Sequence, residues 1–164
     1  MMSSRLTAIL MILSAGALTA QDSTHDHHAA VDARGDKVMG FSHETTVHHF
    51  RLYDDGGAIE VESLKTDDTS TRDQIRGHLR HIATMFAQGN FQAPMLIHDQ
   101  TPPGVPVMKK LRAEISYQYR QTERGAAVDI KTANRDAIAA VHEFLRFQIS
   151  DHRTGDATTG ARRP

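Results

Sequence analysis

The chain has 164 residues, no cysteine and a nearly balanced charge, with 19 Lys and Arg residues against 20 Asp and Glu residues. The absence of cysteine excludes disulfides, thiolate metal sites, covalent c-type haem and cysteine nucleophiles. The charge lacks the basic surplus of proteins that bind nucleic acid or anionic lipid, so neither partner is expected. Eleven histidines and seven methionines are the unusual feature of the composition.

The first twenty residues have the layout of a secretory signal peptide. Arg5 gives a positive start, residues 6–13 form an apolar run, and small residues lead to Ala20. The run is too short to span a bilayer, so we expect cleavage after Ala20, or alternatively after Ala17, and no membrane insertion. The mature protein is then expected to be soluble, either periplasmic or secreted.

Both ends of the mature chain are polar and predict little structure. Residues 21–36 lack periodicity and contain His25-Asp26-His27-His28, so we interpret them as a flexible arm. This histidine cluster is typical of a metal-scavenging tail and equally of a solvated tail without a role. Residues 154–164 are expected to be a disordered tail, which leaves a single domain over residues 37–153.

The domain begins with a predicted hairpin and helix. Residues 46–53 and 58–64 alternate apolar and polar side chains on either side of the turn sequence at residues 54–57. A helix follows, opened by a capping box at Thr71 with Gln74 or, in another register, at Ser70 with Asp73. Its expected buried stripe consists of Ile75, Leu79, Ile82 and Phe86.

The same order of elements then repeats after a long connection. Residues 91–107 contain four prolines and predict an extended loop. Residues 111–119 and 126–130 predict a second hairpin, followed by a helix from Asn134. Its expected stripe consists of Ile138, Val141, Leu145 and Ile149. The fold class is therefore expected to be α+β: two tandem ββα units that form a four-stranded antiparallel sheet with two helices on one face.

Potential metal donors lie along one side of the first predicted helix. His78, His81 and Met85 form a stripe beside its apolar face, because residues three and four apart are neighbours on a helix. Imidazole and thioether together suit copper, particularly Cu(I). His48, on the core side of the first strand, or His142, beside the buried face of the second helix, is expected to complete the set. These five residues predict a non-catalytic copper carrier or sequestering protein.

Other histidines have simpler interpretations. His98-Asp99, in the proline-rich loop, resembles a histidine with a supporting carboxylate only if the fold arranges the two side chains in that way. His152 lies at the end of the second helix, where a cation is favoured by the helix dipole.

An alternative function uses a pocket between the sheet and the loop that carries Pro102-Pro103. The chain is then a small exported enzyme or ligand-binding module, with histidines as acid–base groups or as axial ligands of a non-covalent haem. Phosphate loops, nucleophile elbows and His-Glu-x-x-His zinc motifs are absent from the sequence. The partner is accordingly a metal ion or a small molecule, and the composition leaves a homodimer open.

Three segments carry a resemblance to known proteins. The first is residues 39–50, which include Met39-Gly40-Phe41 and His48-His49-Phe50. The second is Pro102-Pro103-Gly104-Val105, and the third is Phe144-Leu145-Arg146-Phe147-Gln148-Ile149. Together they resemble a small family of exported bacterial proteins of unassigned function, over nearly the whole mature domain. The resemblance implies bacterial export and supplies no activity.

Overall fold

Residues 19–164 are described by the computed structural model, with side chains from residue 26 onward. Strands β1 (Thr46–Tyr53), β2 (Gly56–Ser63), β3 (Ser116–Gln121) and β4 (Gly125–Lys131) form one antiparallel sheet in the order β1-β2-β4-β3. The helices are α1 (Thr19–Met39), α2 (Thr69–Ala87), α3 (Gln92–His98), α4 (Val105–Lys110) and α5 (Arg135–Asp151). The predicted α+β class is confirmed. In the described part, no helix is both long and apolar enough to cross a membrane.

Helices α2 and α5 each cover strands from the other half of the chain. Helix α2 follows β2 in sequence but packs mainly on β3 and β4, whereas α5 follows β4 and packs on β1 and β2. The core-facing side chains of the sheet include Phe50, Leu52, Val61, Val128 and Ile130. Because each hairpin buries its apolar face under the other unit's helix, neither ββα unit has a closed core of its own.

The apolar stripe of α2 is confirmed, since all four of its predicted members are buried. In α5 the predicted Ile138 is only partly buried, and Phe144 takes a larger place in the core. The N-terminal cap agrees with the prediction for α5 but not for α2. Asn134 caps α5 near the predicted start, but α2 is capped by the Asp68 carboxylate, which accepts a hydrogen bond from the Thr71 N–H at 2.9 Å.

The connection over residues 91–107 is helical rather than extended, which corrects the prediction. Pro94 lies in the first turn of α3 and Pro106 in the first turn of α4, where the missing N–H has no helical partner to lose. Gly104 precedes α4 with φ +81°, and a Cβ there would collide with the carbonyl oxygen of Ala140 on α5. Helix α4 therefore approaches α5 closely. Because α4 and a short 3₁₀ turn occupy the intervening residues, β3 begins later than predicted.

The flexible arm predicted for residues 21–36 is instead part of α1. Val31 is fully buried, and the Arg34 Nε donates a hydrogen bond to the carbonyl oxygen of Ile97 on α3 at 2.7 Å. The helix is polar and lacks an apolar stripe, so its order depends on these tertiary contacts rather than on local pattern. Of the predicted signal peptide, residues 1–18 lie outside the described part.

Residues 154–164 pair with the edge of the sheet and are not a disordered tail, so the folded unit extends beyond residues 37–153. The Asp54 N–H donates to the Ala161 carbonyl at 2.9 Å, and the Ala161 N–H donates to the Leu52 carbonyl at 3.1 Å. Arg163 forms an ion pair with Asp55. These interactions extend the β1 edge by one short bridge, which no local sequence pattern signals.

Candidate functional site

Two of the five predicted metal donors line the same interior cavity. His48 projects from β1 and His78 from α2, and both belong to its wall. His81 is exposed on α2, and Met85 is half-buried outside the wall. The predicted helix stripe is thus divided, with only its first histidine at the cavity.

The fifth predicted donor, His142, is bonded to the backbone of the first hairpin. Its Nε2 lies 2.9 Å from the carbonyl oxygen of Tyr53 and 3.0 Å from that of Gly56. An N–H at Nε2 therefore donates to both carbonyls at the turn, which connects α5 to the β1–β2 hairpin.

The inner cavity lies between β1, β2, α2, α3 and α5. Its volume is about 60 Å³, enough for a few water molecules at roughly 10–15 Å³ each. Most of the wall is apolar and includes Phe50, Ile59, Val61, Leu79, Phe86 and Phe144. The polar exceptions are His48, His78, Gln148 and His152. A mostly apolar cavity with a few convergent polar groups is the usual form of a small-molecule site.

The three cavity histidines are held in their neutral form. Burial lowers the pKa of His48 and of His78 to about 4. Burial lowers the pKa of His152 further, to about 3, with repulsion from His98 and His48 adding to the shift. At neutral pH each ring therefore offers one N–H donor and one acceptor nitrogen and carries no charge.

Two buried polar atoms in this wall have no hydrogen-bond partner among the described residues. They are the Nε2 atoms of His48 and Gln148. Leaving a buried polar atom unpaired costs about 1–3 kcal/mol relative to a satisfied one. Each atom therefore marks a position where a bound molecule gains a hydrogen bond that the protein does not supply.

Stacked rings hold the cavity histidines in place. The Phe41 ring lies 6.3 Å from the His48 ring, nearly parallel to it, and meets the His78 ring edge-on at 5.7 Å. The His152 ring is parallel to that of His48 at 5.9 Å, measured between centroids. The His48 ring thus packs against two other rings, which restricts its orientation.

An outer cavity of about 290 Å³ adjoins the inner one. The two share Met39, His48 and His152, which together form a partition between them. The outer wall is polar and includes Asp32 and Arg153. The thioether of Met39 is the flexible member of this partition.

Arg153 has a left-handed backbone with φ 54°. It follows the end of α5, where the Thr154 N–H donates to the Ile149 carbonyl at 3.2 Å and the Arg153 N–H donates to the Ser150 carbonyl at 3.3 Å. This is a Schellman motif, in which glycine is the usual residue at the position of Arg153. Arg153 therefore places a guanidinium at the outer cavity from a backbone conformation that favours glycine.

A polar chain leads from the inner cavity to the protein surface. His98 is buried, with Nδ1 bonded to the Asp151 carboxylate and Nε2 2.9 Å from Gln148 Oε1. The other carboxylate oxygen of Asp151 lies 2.8 Å from His27 Nε2. Although burial raises the pKa of Asp151, its hydrogen bonds with His27 and His98 bring that pKa below the ordinary value.

Sequence reasoning missed Gln148 and underestimated His98 and His152. Gln148 had a detectable signal, because it lies three residues after Leu145 and one before Ile149, within the buried face of α5. A polar residue on such a face needs a partner or a ligand. The partners of His98 had no comparable signal, since Asp151 lies 53 residues away in the chain.

No family model, characterised protein or solved structure matches this chain. The resemblance to exported bacterial proteins stays a prediction from the sequence.

Proposed function

We propose that this chain is a non-catalytic binding protein for a small, uncharged carbonyl compound, acting after export as residues 1–20 predict. The observation that carries the proposal is the pair of unpartnered nitrogens, His48 Nε2 and Gln148 Nε2, in the wall of an otherwise apolar cavity. A carbonyl oxygen accepts hydrogen bonds from the Gln148 amide nitrogen and from the His48 tautomer that carries its proton on Nε2, and the hydrocarbon part of the ligand replaces water against the apolar wall.

The absence of charge in the ligand follows from the cavity histidines. His48, His78 and His152 are neutral at pH 7 because burial lowers their pKa. A charged ligand would lose its hydration without gaining a counter-ion from these rings, which is strongly unfavourable. The cavity volume of about 60 Å³ restricts the ligand to a few heavy atoms and does not accommodate a porphyrin.

Cyclopentanone and cyclopentane provide a matched pair of probes, because they differ chiefly in the carbonyl group. Titrations followed by NMR should place both in the inner cavity, through shifts of Leu79 and Ile82 methyl signals. We expect cyclopentanone to bind about 10-fold more tightly, the equivalent of one hydrogen bond to a buried group. Equal affinities for the two probes, or shifts outside the cavity, would contradict the proposal.

Substitutions separate the hydrogen bond from the shape of the cavity. Gln148→Met and His48→Leu each remove one unpartnered nitrogen at nearly constant volume, and we expect them to reduce the preference for cyclopentanone. Gln148→Met also removes the oxygen that is bonded to His98, so retained cyclopentane binding is the check that the cavity of each variant is intact. His81→Ala is the matched control, because His81 is exposed on α2 and does not line the cavity. An unchanged preference in both cavity variants would exclude these nitrogens as the donors.

Copper binding is a second candidate function, favoured by the partition between the cavities. Met39 brings a thioether to the same wall as His48 and His152. Neutral imidazole with thioether is a donor set suited to Cu(I). Cu(I) competition titrations of Met39→Leu and Met85→Leu compare this position with the stripe predicted from the sequence. Weaker binding only in Met39→Leu favours the partition, weaker binding only in Met85→Leu favours the stripe, and unchanged affinity in both contradicts copper binding through methionine.

A further inference from the structure

We propose that His27, His28 and Asp151 form a second site, for a divalent transition-metal ion, at the surface end of the polar chain that leads from the inner cavity. One ligand atom from each residue lies within 4.8 Å of the other two. His27 Nε2 is 2.8 Å from Asp151 Oδ1, and the two imidazole centroids are 5.5 Å apart at 68°. For metal–nitrogen bonds of about 2.0–2.1 Å at tetrahedral angles, the ring centres of two ligating histidines are roughly 5 Å apart. The side chains therefore need only small movements to bind one ion.

The carboxylate of this cluster is held from behind by a buried histidine. The His98 Nδ1 is bonded to the Asp151 oxygen that faces away from His27, and the His98 side chain is completely buried. Metal ligands in proteins are typically oriented by such a second hydrogen bond, which prevents the ligand from rotating away. An accidental contact between surface side chains would lack this support.

The donor set selects the class of ion. Two imidazole nitrogens with one carboxylate oxygen suit Zn²⁺, Cu²⁺ or Ni²⁺, whereas Ca²⁺ and Mg²⁺ prefer sites built from oxygen alone. The Nδ1 of His28 lies 3.2 Å from the backbone carbonyl of Asp151, an interaction that metal binding would replace. Three protein ligands leave a fourth position for water.

The site connects two parts of the fold that are distant in sequence. His27 and His28 lie on α1, and Asp151 is the last residue of α5, 124 residues after His27. A bound ion therefore stabilises the docking of α1 by binding only the folded arrangement. At a free ion concentration 100-fold above Kd, we expect the midpoint of thermal unfolding to rise by about 5–10 °C.

Calorimetric titration of the tag-free full chain with ZnCl₂, together with thermal unfolding, tests the proposal. We expect one Zn²⁺ ion per chain, and no binding of MgCl₂ under the same conditions. The double variant His27→Ala with His28→Ala should bind at least 10-fold more weakly and lose the thermal shift. His81→Ala, an exposed histidine on another helix, should bind as the parent does. Unchanged binding in the double variant, or equal loss in His81→Ala, would overturn the site.

A second measurement does not depend on the folding of a variant. Substoichiometric Cu²⁺ added to the parent should broaden the NMR signals of His27, His28 and the end of α5 before any others. Broadening that begins at His48 or at His81 would place the ion elsewhere and overturn the proposal. Cyclopentanone binding at the inner cavity is measured without metal, so failure of either proposal is recognised separately.

Discussion

Gln148 Oε1 lies 2.9 Å from His98 Nε2, and this contact connects the wall of the inner cavity to the Asp151 carboxylate. His98 has an acceptor at each ring nitrogen. Because its amide oxygen is bonded to His98, Gln148 leaves its amide nitrogen without a partner at the cavity wall.

Replacing His98 should destabilise the fold. His98→Leu leaves two buried polar groups, on Gln148 and Asp151, without their partner. We expect the free energy of unfolding in urea to fall by about 2–4 kcal/mol. His81→Ala, at an exposed position, should change it by less than about 0.5 kcal/mol. A similar decrease in both variants would show that the hydrogen bonds of His98 make no specific contribution to the free energy of unfolding.

The cavity histidines predict a loss of stability as the pH falls from about 6.5 to about 4. Burial lowers the pKa of His48 and His78 to about 4, and that of His152 to about 3, from 6.5 in the unfolded chain. In this window the unfolded state binds more protons than the folded state, so the free energy of unfolding decreases with falling pH. A shift of two and a half units corresponds to roughly 3 kcal/mol for His48 and for His78.

Urea unfolding at pH 7, 5.5 and 4.5 measures this slope. His78→Leu should reduce it, because one of the three groups is removed. His43→Gln should not reduce the slope. Burial alone would lower the pKa of His43, but its hydrogen bond with Asp36 and the negative charges of Asp32 and Asp36 outweigh burial and raise it. The contribution of His43 to stability is therefore present at low pH and is lost at higher pH. The pKa of Asp151 is lowered from 3.8, so its contribution to stability is lost only below about pH 3.8, outside this window. A slope unchanged in His78→Leu would contradict the prediction.

Arg153→Gly should be at least as stable as the parent. The left-handed φ of 54° favours glycine, so the substitution relieves backbone strain of about 1 kcal/mol. Arg153→Ala removes the same guanidinium and keeps the strain. Urea unfolding should therefore give the glycine variant an advantage of about 1 kcal/mol over the alanine variant. Equal stability of the two variants would show that the backbone at this position is not strained.

Asp156 should prove essential for the ordered C-terminal segment. Its carboxylate is only 4 % exposed and accepts hydrogen bonds from the Phe50 N–H and the Arg51 guanidinium, both at 2.9 Å. Asp156→Asn replaces an acceptor oxygen with a donor, so we expect a loss of about 2–4 kcal/mol in urea unfolding. Faster hydrogen exchange of the Phe50 amide should accompany it. Asp67→Asn, at an exposed position, is the control and should have little effect.

The sequence was sufficient to predict an element and its buried face where burial follows a local period. Alternation over residues 46–53 predicted β1 to the residue, and the four-residue stripe of α2 is buried as expected. In these elements the side chains that face the core are determined by backbone geometry alone, with a period of 2 in a strand and 3.6 in a helix. The same regularity supported the antiparallel α+β sheet and the position of His48 on its core side.

Only the tertiary structure decided the order of α1 and of residues 154–164, and the composition of the two candidate sites. Helix α1 and residues 154–164 are polar and carry no periodic signal, so their structure depends on distant partners, such as Ile97 for α1 and Phe50 for the C-terminal segment. His27 meets Asp151 across 124 positions, and Gln148 meets His98 across 50. Such contacts arise from the packing of α1 and α3 against the end of α5. Local sequence patterns do not encode them, because the free energy that selects them comes from burial shared between distant segments.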